Sequence, residues 1–328
     1  MFFSLNNEAK LSNLSSGRDN NFNLVRLIAS LLVLFTHAYA LFFGVSSAEP
    51  FYEFGFTLGS IAVDVFFVSS GFLIYKSLES SDGLKKFFWF RALRIYPGLI
   101  FSLFLTVLCL SAFSTLSLLD YLFNIDTWFY LLKNSFLFFG IEYELPGVFH
   151  HVPYSNVING SLWTLPYEVT MYVAISIFYV MDKSGSSKRG LLLISVWLFI
   201  SIFLFSGVAE FYGLKTLFRL AFFFFFGASF YAFRNIVYFN SKVFFCFLIL
   251  ILLSCFYLKH LSYLYYLLMP YCLLWFIYIP DLFRKKINNF GDISYGVYIY
   301  AFPIQQALIS SFPEFYFSLY VFFSFFVV

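Results

Sequence analysis

The sequence predicts an all-α fold, a polytopic transmembrane helical bundle of about ten helices with a cytoplasmic N-terminus. Three observations predict it. The first is composition: of 328 residues, 61% are hydrophobic, 25% aromatic and only 11% charged, against a usual charged share of roughly a quarter, and mean hydropathy is +0.84. So few charges cannot cover a soluble domain, and the same balance excludes a disordered chain, a coiled coil and a disulfide-stapled secreted scaffold. The second is continuity. The apolar runs approach the length of a helical span and do not alternate over strands of about ten residues, and in lipid only helices or closed barrels pair every backbone polar group. The third is the uneven placement of Lys and Arg along the chain. A net charge of +3 carries no nucleic-acid signal.

The polar residues 1–21 form a cytoplasmic N-terminal segment. They do not read as a signal peptide, because the apolar run that follows is too long and lacks a small-residue cleavage site. Residues 22–328 form the membrane domain, with spans predicted at 22–44, 58–78, 95–113, 161–181, 191–207, 217–233, 243–258, 263–280, 291–312 and 315–328. The stretch 128–141 is apolar but short and carries Lys133 and Asn134 in its middle; it reads as an interfacial or re-entrant piece. Ten spans then place sixteen of the twenty basic residues inside: Lys10, Arg18 and Arg26; Lys76, Lys85, Lys86, Arg91 and Arg94; Lys183, Lys188 and Arg189; Arg234 and Lys242; Arg284, Lys285 and Lys286. The outer side keeps Lys133, Lys215, Arg219 and Lys259. Counting 128–141 as a span would turn the last three clusters outward against the positive-inside rule.

The last segment covers only about 21 Å, short for a core of about 30 Å, so the chain is truncated there or the helix stops part-way. No soluble domain is expected on either side of the membrane part, and no internal repeat is visible. The run Phe222–Phe226 reads as compositional bias inside a span. Cys109, Cys246, Cys255 and Cys272 lie in apolar spans without a CxxC or Cys/His cluster and read as small hydrophobes with no redox or metal role. His150 and His151 are adjacent, point apart and lack further ligands, so no metal is expected there either.

Ionisable residues inside spans are costly and usually face a cavity or a partner. Arg26 and His37 lie on the first span eleven residues apart, which is about 20° from three full turns, so both point the same way, about 16 Å apart along the axis. Asp64 on the second span lies about 9 Å from its outer end, and His37 and Glu168 lie about 10 Å from the outer ends of theirs. One imidazole and two carboxylates at matched depth make a base with orienting acids; the alternative is three polar residues satisfied locally. Pro166 removes a backbone bond, opens the carbonyl of Leu162 and predicts a kink beside Glu168. Trp163 falls where an interfacial aromatic belt is expected. Arg91 and Arg94, three residues apart, share one side of a helix start and suit either a bidentate grip on phosphate or a positive-inside anchor.

Four stretches of this sequence resemble the acyltransferase-3 family of bacterial integral-membrane O-acyltransferases: NFNLVRLIASLLVLFTH (21–37), IAVDVFFVSSGFLIYKSL (61–78), FFWFRALRIYP (87–97) and NGSLWTLPYEVTMY (159–172). A fainter fifth is ISYGVYIYAFPIQQ (293–306), in which Ala301 stands where many relatives carry a His. The resemblance implies that residues 22–328 are a transmembrane acyltransferase domain of a multi-pass protein in the bacterial inner membrane. It implies transfer of an acyl group, usually acetyl, from cytoplasmic acyl-CoA to a hydroxyl of an envelope glycan such as O-antigen or capsule. Carried onto this chain, His37 is the catalytic base or the group that first accepts the acyl chain, and Asp64 or Glu168 polarises it. Arg26, Arg91 and Arg94 hold the acyl-CoA, Ser161 and Trp163 meet the carbohydrate acceptor, and no metal is needed. The competing reading is a secondary transporter or lipid-linked glycan flippase, which would use the same ionisable residues as a proton relay. The inverted repeats that mark many such transporters are not visible.

Overall fold

The computed structural model describes residues 8–17, 19–181, 186–258, 263–281 and 284–328. Arg18, Lys183 and Lys259, and the side chains of Lys188, Arg189, Cys255 and Lys285, lie outside the described residues. Each predicted apolar segment carries a helix: α1 (Phe22–Phe43), α2 (Leu58–Ser80), α3 (Leu84–Leu110), α4 (Leu165–Met181), α5 (Ser186–Phe205), α6 (Lys215–Ala232), α7 (Ser241–Leu258), α8 (Tyr263–Tyr278), α9 (Ser294–Ser311) and α10 (Phe317–Val327). Among the described residues, three helical stretches are long and apolar enough to cross a membrane, Phe22–Phe43, Leu58–Ser80 and Leu84–Phe113. Large apolar side chains point outward along α3, among them Trp89, Leu93, Phe101 and Phe104. Such a surface is stable in lipid and not in water, so this is a membrane protein.

Two elements differ from the sequence expectation. The third helix starts at Leu84 and not at 95. Its first turns hold Lys85, Lys86, Arg91 and Arg94, because an Arg or Lys stem is a good helix former whether or not lipid surrounds it. Part of the polar N-terminal segment also forms regular structure, at Ala9–Lys10 and Leu11–Leu14. Ala9–Lys10 pairs antiparallel with Tyr238–Phe239, Ala9 opposite Phe239, so the fold is nearly all-α with one small sheet. This clasp ties the chain start to the α6–α7 connection, and Lys76 Nζ donates to the carbonyl of Ser15 at 2.6 Å.

The piece read as interfacial forms a helix at Ile125–Phe136, about 18 Å long and too short to span. Lys133 and Asn134 are both satisfied by Glu142. Asn134 exchanges two bonds of 2.9 Å with the Glu142 backbone, and Lys133 Nζ meets the Glu142 carboxylate at 3.0 Å.

The centre of the bundle is the pair α2 and α6. A Cβ on Gly71 would overlap the carbonyl of Phe224, and one on Gly227 would overlap the carbonyl of Val68. The two glycines therefore let the backbones touch, the small-residue packing that substitutes for a hydrophobic drive in membranes. Phe222, Phe223, Phe224 and Phe225 are all buried, so the Phe run is core and not bias: α6 has neighbours on every side, and a helix apolar all round belongs there. We expect Gly71→Ala to force α2 and α6 apart at a cost of about 1–3 kcal/mol, seen as a lower thermal midpoint in detergent.

Candidate active site

The start of α1 is pinned by Asn21, whose Nδ2 donates to the carbonyls of Phe276 at 3.1 Å and Pro280 at 2.7 Å. This fixes Arg26 just over one turn further on. Arg26 is buried, its guanidinium stands over the Phe66 ring at 5.2 Å, and its Nε donates to Asp292 Oδ2 at 3.1 Å. Arg94 Nη2 reaches the same oxygen at 2.6 Å. Asp292 also accepts from the Ser294 hydroxyl and backbone N–H, so one carboxylate before α9 gathers arginines from α1 and α3. Tyr295 Oη on α9 is fastened to α3 by donating to the carbonyl of Ile95 at 3.0 Å. Arg91 lies one turn before Arg94 and within electrostatic reach of Glu168 and Tyr172, and its buried Nε has no hydrogen-bond partner among the described residues. Among the described residues three guanidinium groups thus lie near two carboxylates, Asp292 and Glu168, with one positive charge in excess.

Glu168 belongs to this group and not to His37. It accepts from the Tyr172 hydroxyl one turn along α4 and lines a small cavity, about 40 Å³, with Arg26, Ser70, Val63, Thr164 and Tyr298. The predicted kink is also absent from its place. Pro166 is the second residue of α4, where a missing N–H costs little, and the Leu162 carbonyl accepts from the N–H of Leu165.

His37 sits beyond Arg26 on α1, its ring edge-on to Phe302 at 5.1 Å. Its Nδ1 is buried without a hydrogen-bond partner among the described residues. It faces two adjoining cavities. One, about 190 Å³, is also lined by Val63, Ser60, Arg219 and Tyr298; the other, about 330 Å³, by Ser46, Tyr143, Tyr154 and Phe302. His37, Glu49 and Trp163 line both. Trp163 is presented by a 3-10 turn, Gly160–Thr164. Asn159 anchors that turn, accepting from Ser161 N at 3.0 Å and donating to the Ile299 carbonyl on α9 at 2.8 Å. Gln306 on α9 holds the opposite wall through the carbonyls of Tyr154 and Val157, at 2.7 and 2.9 Å. Ser161 is fully buried, its Oγ unbonded among the described residues, and it lines none of these cavities. Ala301 is buried beside Phe302, so the ring at this wall is Phe302 and not a histidine.

Asp64 has partners of its own. Arg219 from α6 meets Oδ1 through Nε at 2.9 Å and Nη2 at 2.8 Å, and Nη2 also donates to the Ser60 carbonyl at 2.8 Å. Tyr265 Oη donates to Oδ2 at 3.0 Å. Both carboxylate oxygens are therefore used. Among the described residues neither Asp64 nor Glu168 bonds to His37, and the three do not share a cavity. Arg219 links them in part, because it pairs with Asp64 and also lines the cavity of His37. Asp292, Arg219, Tyr265 and Glu49 are the polar residues that sequence reasoning did not place at the site.

The cavity of Arg26 and the cavity of His37 share Val63 and Tyr298. Between them the Tyr298 hydroxyl and Thr164 Oγ1 are bonded at 2.7 Å. The two cavities thus lie one after the other along α1, that of Arg26 and that of His37, with Val63 and Tyr298 as their shared wall. Elsewhere, His150 Nδ1 is paired with Asn156 at 2.7 Å.

Comparison with known proteins gives three findings. The profile of a family described as an acyltransferase domain matches residues 19–328. An O-acetyl transferase of Shigella phage Sf6 is 32% identical over 302 residues, covering 90% of this chain and 87% of that protein. Nodulation protein 10 of Rhizobium leguminosarum bv. viciae is 28% identical over 187 residues, covering 56% of this chain and 50% of that one. No solved structure matches the chain.

Proposed function

The chain belongs to the acyltransferase-3 family, and we propose that this O-acyltransferase moves an acetyl or other acyl group from cytoplasmic acyl-CoA to a hydroxyl of an envelope glycan, free or lipid-linked. The observation that carries the reading is that the Arg26 cavity and the His37 cavity adjoin across Val63 and Tyr298. It supports a donor entering at the arginines and an acceptor waiting at the imidazole. The basic clusters around the connections of even-to-odd helices support an N-terminus and donor entry in the cytoplasm of a bacterial inner membrane, with ten spans.

The donor is an anion at one end and a thioester at the other. Arg91, with its unbonded Nε, and Arg94, about a third exposed (35%), are placed to take the phosphates, where guanidinium forks bind best. Arg26 lies deeper, at the mouth of the path for the acyl arm. A sugar hydroxyl is a weak nucleophile near neutral pH, and imidazole has the unperturbed pKa best suited to activate it. His37 takes the acceptor proton as the alcohol oxygen attacks the thioester carbon. The carbon–sulfur bond then breaks and the departing sulfur receives the proton from His37. The ester and free CoA leave by opposite ends, and no metal ion enters the scheme.

The test is the surface glycan of a strain with and without the gene. Loss of the mass of one acetyl group per modified sugar, with polymer still present, supports the reading; loss of the polymer itself would point to translocation. Arg91→Ala should raise the acetyl-CoA concentration for half-maximal rate about 10-fold at low salt, and the gap to the wild type should narrow at high salt, where the attraction the variant lacks is screened anyway. An unchanged donor requirement with poor membrane insertion would make Arg91 an anchor only.

A further inference from the structure

Glu49 follows α1 in a loop whose folding turns it inward. Gly44 ends α1 in the left-handed region, and two 3-10 turns, Ser46–Ala48 and Tyr52–Phe54, flank Glu49 and Pro50. Between them Phe51 holds φ +69°, a conformation unusual for a residue with a bulky side chain. Its ring stacks on Phe56 at 5.7 Å, which holds the reversal in place. The Glu49 carboxylate accepts a hydrogen bond from the side chain of Thr57, the residue that caps α2. The result is a half-buried carboxylate on both cavities that His37 and Trp163 line.

We infer that Glu49 is an acceptor-binding residue: its carboxylate takes hydrogen bonds from hydroxyls of the acceptor sugar while Trp163 covers one face of the ring, which sets the reacting hydroxyl against His37. The inference rests on the acyl-transfer reading above. The chemistry is that of polyol recognition. A carboxylate offers two oxygens to neighbouring hydroxyls in charge-assisted bonds, and an aromatic plane suits the C–H face of a sugar. The larger chamber supplies both, with Tyr143 and Tyr154 adding hydroxyls at its rim. Glu49 and the imidazole line the same two cavities, whereas Asp64 and Glu168 are committed to Arg219 and to Tyr172.

The other titratable or charged groups facing these cavities are His37, Arg219, Tyr143, Tyr154 and Tyr298. Burial raises the Glu49 carboxyl above its ordinary range, with the Thr57 bond opposing the shift. A carboxylate with a raised pKa is lost sooner as pH falls, so acceptor binding should weaken on the acid side while donor binding does not follow it.

The experiment uses the full chain in lipid nanodiscs, labelled acetyl-CoA, and surface polysaccharide from a strain lacking the gene. Glu49→Gln keeps an acceptor for Thr57 and so keeps the loop, but it loses the charge and one acceptor. The expected result is an acceptor half-saturation raised about 10- to 100-fold, a donor half-saturation unchanged, and an acid-side rise in acceptor half-saturation that disappears. Glu49→Asp should recover part of the affinity. Wild-type acceptor affinity in Glu49→Gln, or a fall in kcat alone, overturns the assignment and leaves acyl transfer standing. A wild-type protein that transfers no label overturns the acyl-transfer reading itself. Should Glu49→Gln fail to fold, the pH dependence of the wild type decides: an acceptor requirement flat across the acid range ends the inference.

Discussion

Replacing His37 by alanine removes acyl transfer and leaves the protein folded. The expected loss in kcat/KM is about 10²- to 10⁴-fold, the contribution of a positioned acid–base group. Folding should survive because the ring makes few commitments. Its Nδ1 bonds to nothing among the described residues, its contact with Phe302 is an edge, and one side already faces open space. No buried donor or acceptor loses a partner when it goes, which is the usual source of a severe effect. The check is labelled transfer beside circular dichroism and gel filtration in detergent. A folded His37→Ala protein with wild-type transfer would remove the centre of the mechanism. The same label, followed in the absence of acceptor, separates two routes: label held by the wild-type protein and absent from His37→Ala requires an acyl-imidazole intermediate.

The helices were legible because continuous apolar runs leave the backbone one option in lipid. Arg26 and His37 were legible as a pair because both lie on one helix, where the 3.6-residue period fixes relative direction. The partners were not. Depth counted from a helix end gives a level and no azimuth, so His37, Asp64 and Glu168 looked like one cluster and proved to face three places. Glu168 shows the cause best. The five residues Gly160–Thr164 wind as a 3-10 turn, which rises about 2.0 Å per residue and not 1.5. A depth and direction counted with the α-helical rise and period therefore misplace Glu168, which lies within electrostatic reach of Arg91 and Arg94. Asp292 and Arg219 lie far along the chain from the residues they pair with, and nothing local in GDIS or LFRL marks a partner. The N-terminal clasp escaped for another reason: a strand of two residues, Ala9–Lys10, has no period to detect. Glu49 carries one faint signal, an acid before a proline in a short loop, and Glu53 nearby makes it ambiguous.

Asp64→Ala is expected to cost about 3 kcal/mol of stability, the low end for breaking a buried pair, since it leaves the Arg219 guanidinium, 24% exposed, without its counter-charge. The magnitude follows from how completely the pair is used. Asp64 is 1% exposed, and it receives Arg219 on one oxygen and Tyr265 on the other. Arg219 also fastens α6 to the first turn of α2 through the Ser60 carbonyl, beside the close contact that Gly71 and Gly227 allow. A charge stranded there would draw water between helices that otherwise touch. The double variant Asp64→Leu, Arg219→Met should recover most of the folded yield, because removing both charges also removes the desolvation cost. The measurement is thermal unfolding in detergent for the four corners of this cycle, with a coupling of several kcal/mol expected. Asp64→Asn keeps an acceptor for Arg219 and Tyr265. Its specific activity per folded molecule should therefore fall far less than that of His37→Ala. If Asp64→Asn folds normally and still loses transfer as completely as His37→Ala, Asp64 acts in the chemistry and its pairing with Arg219 is not its main duty.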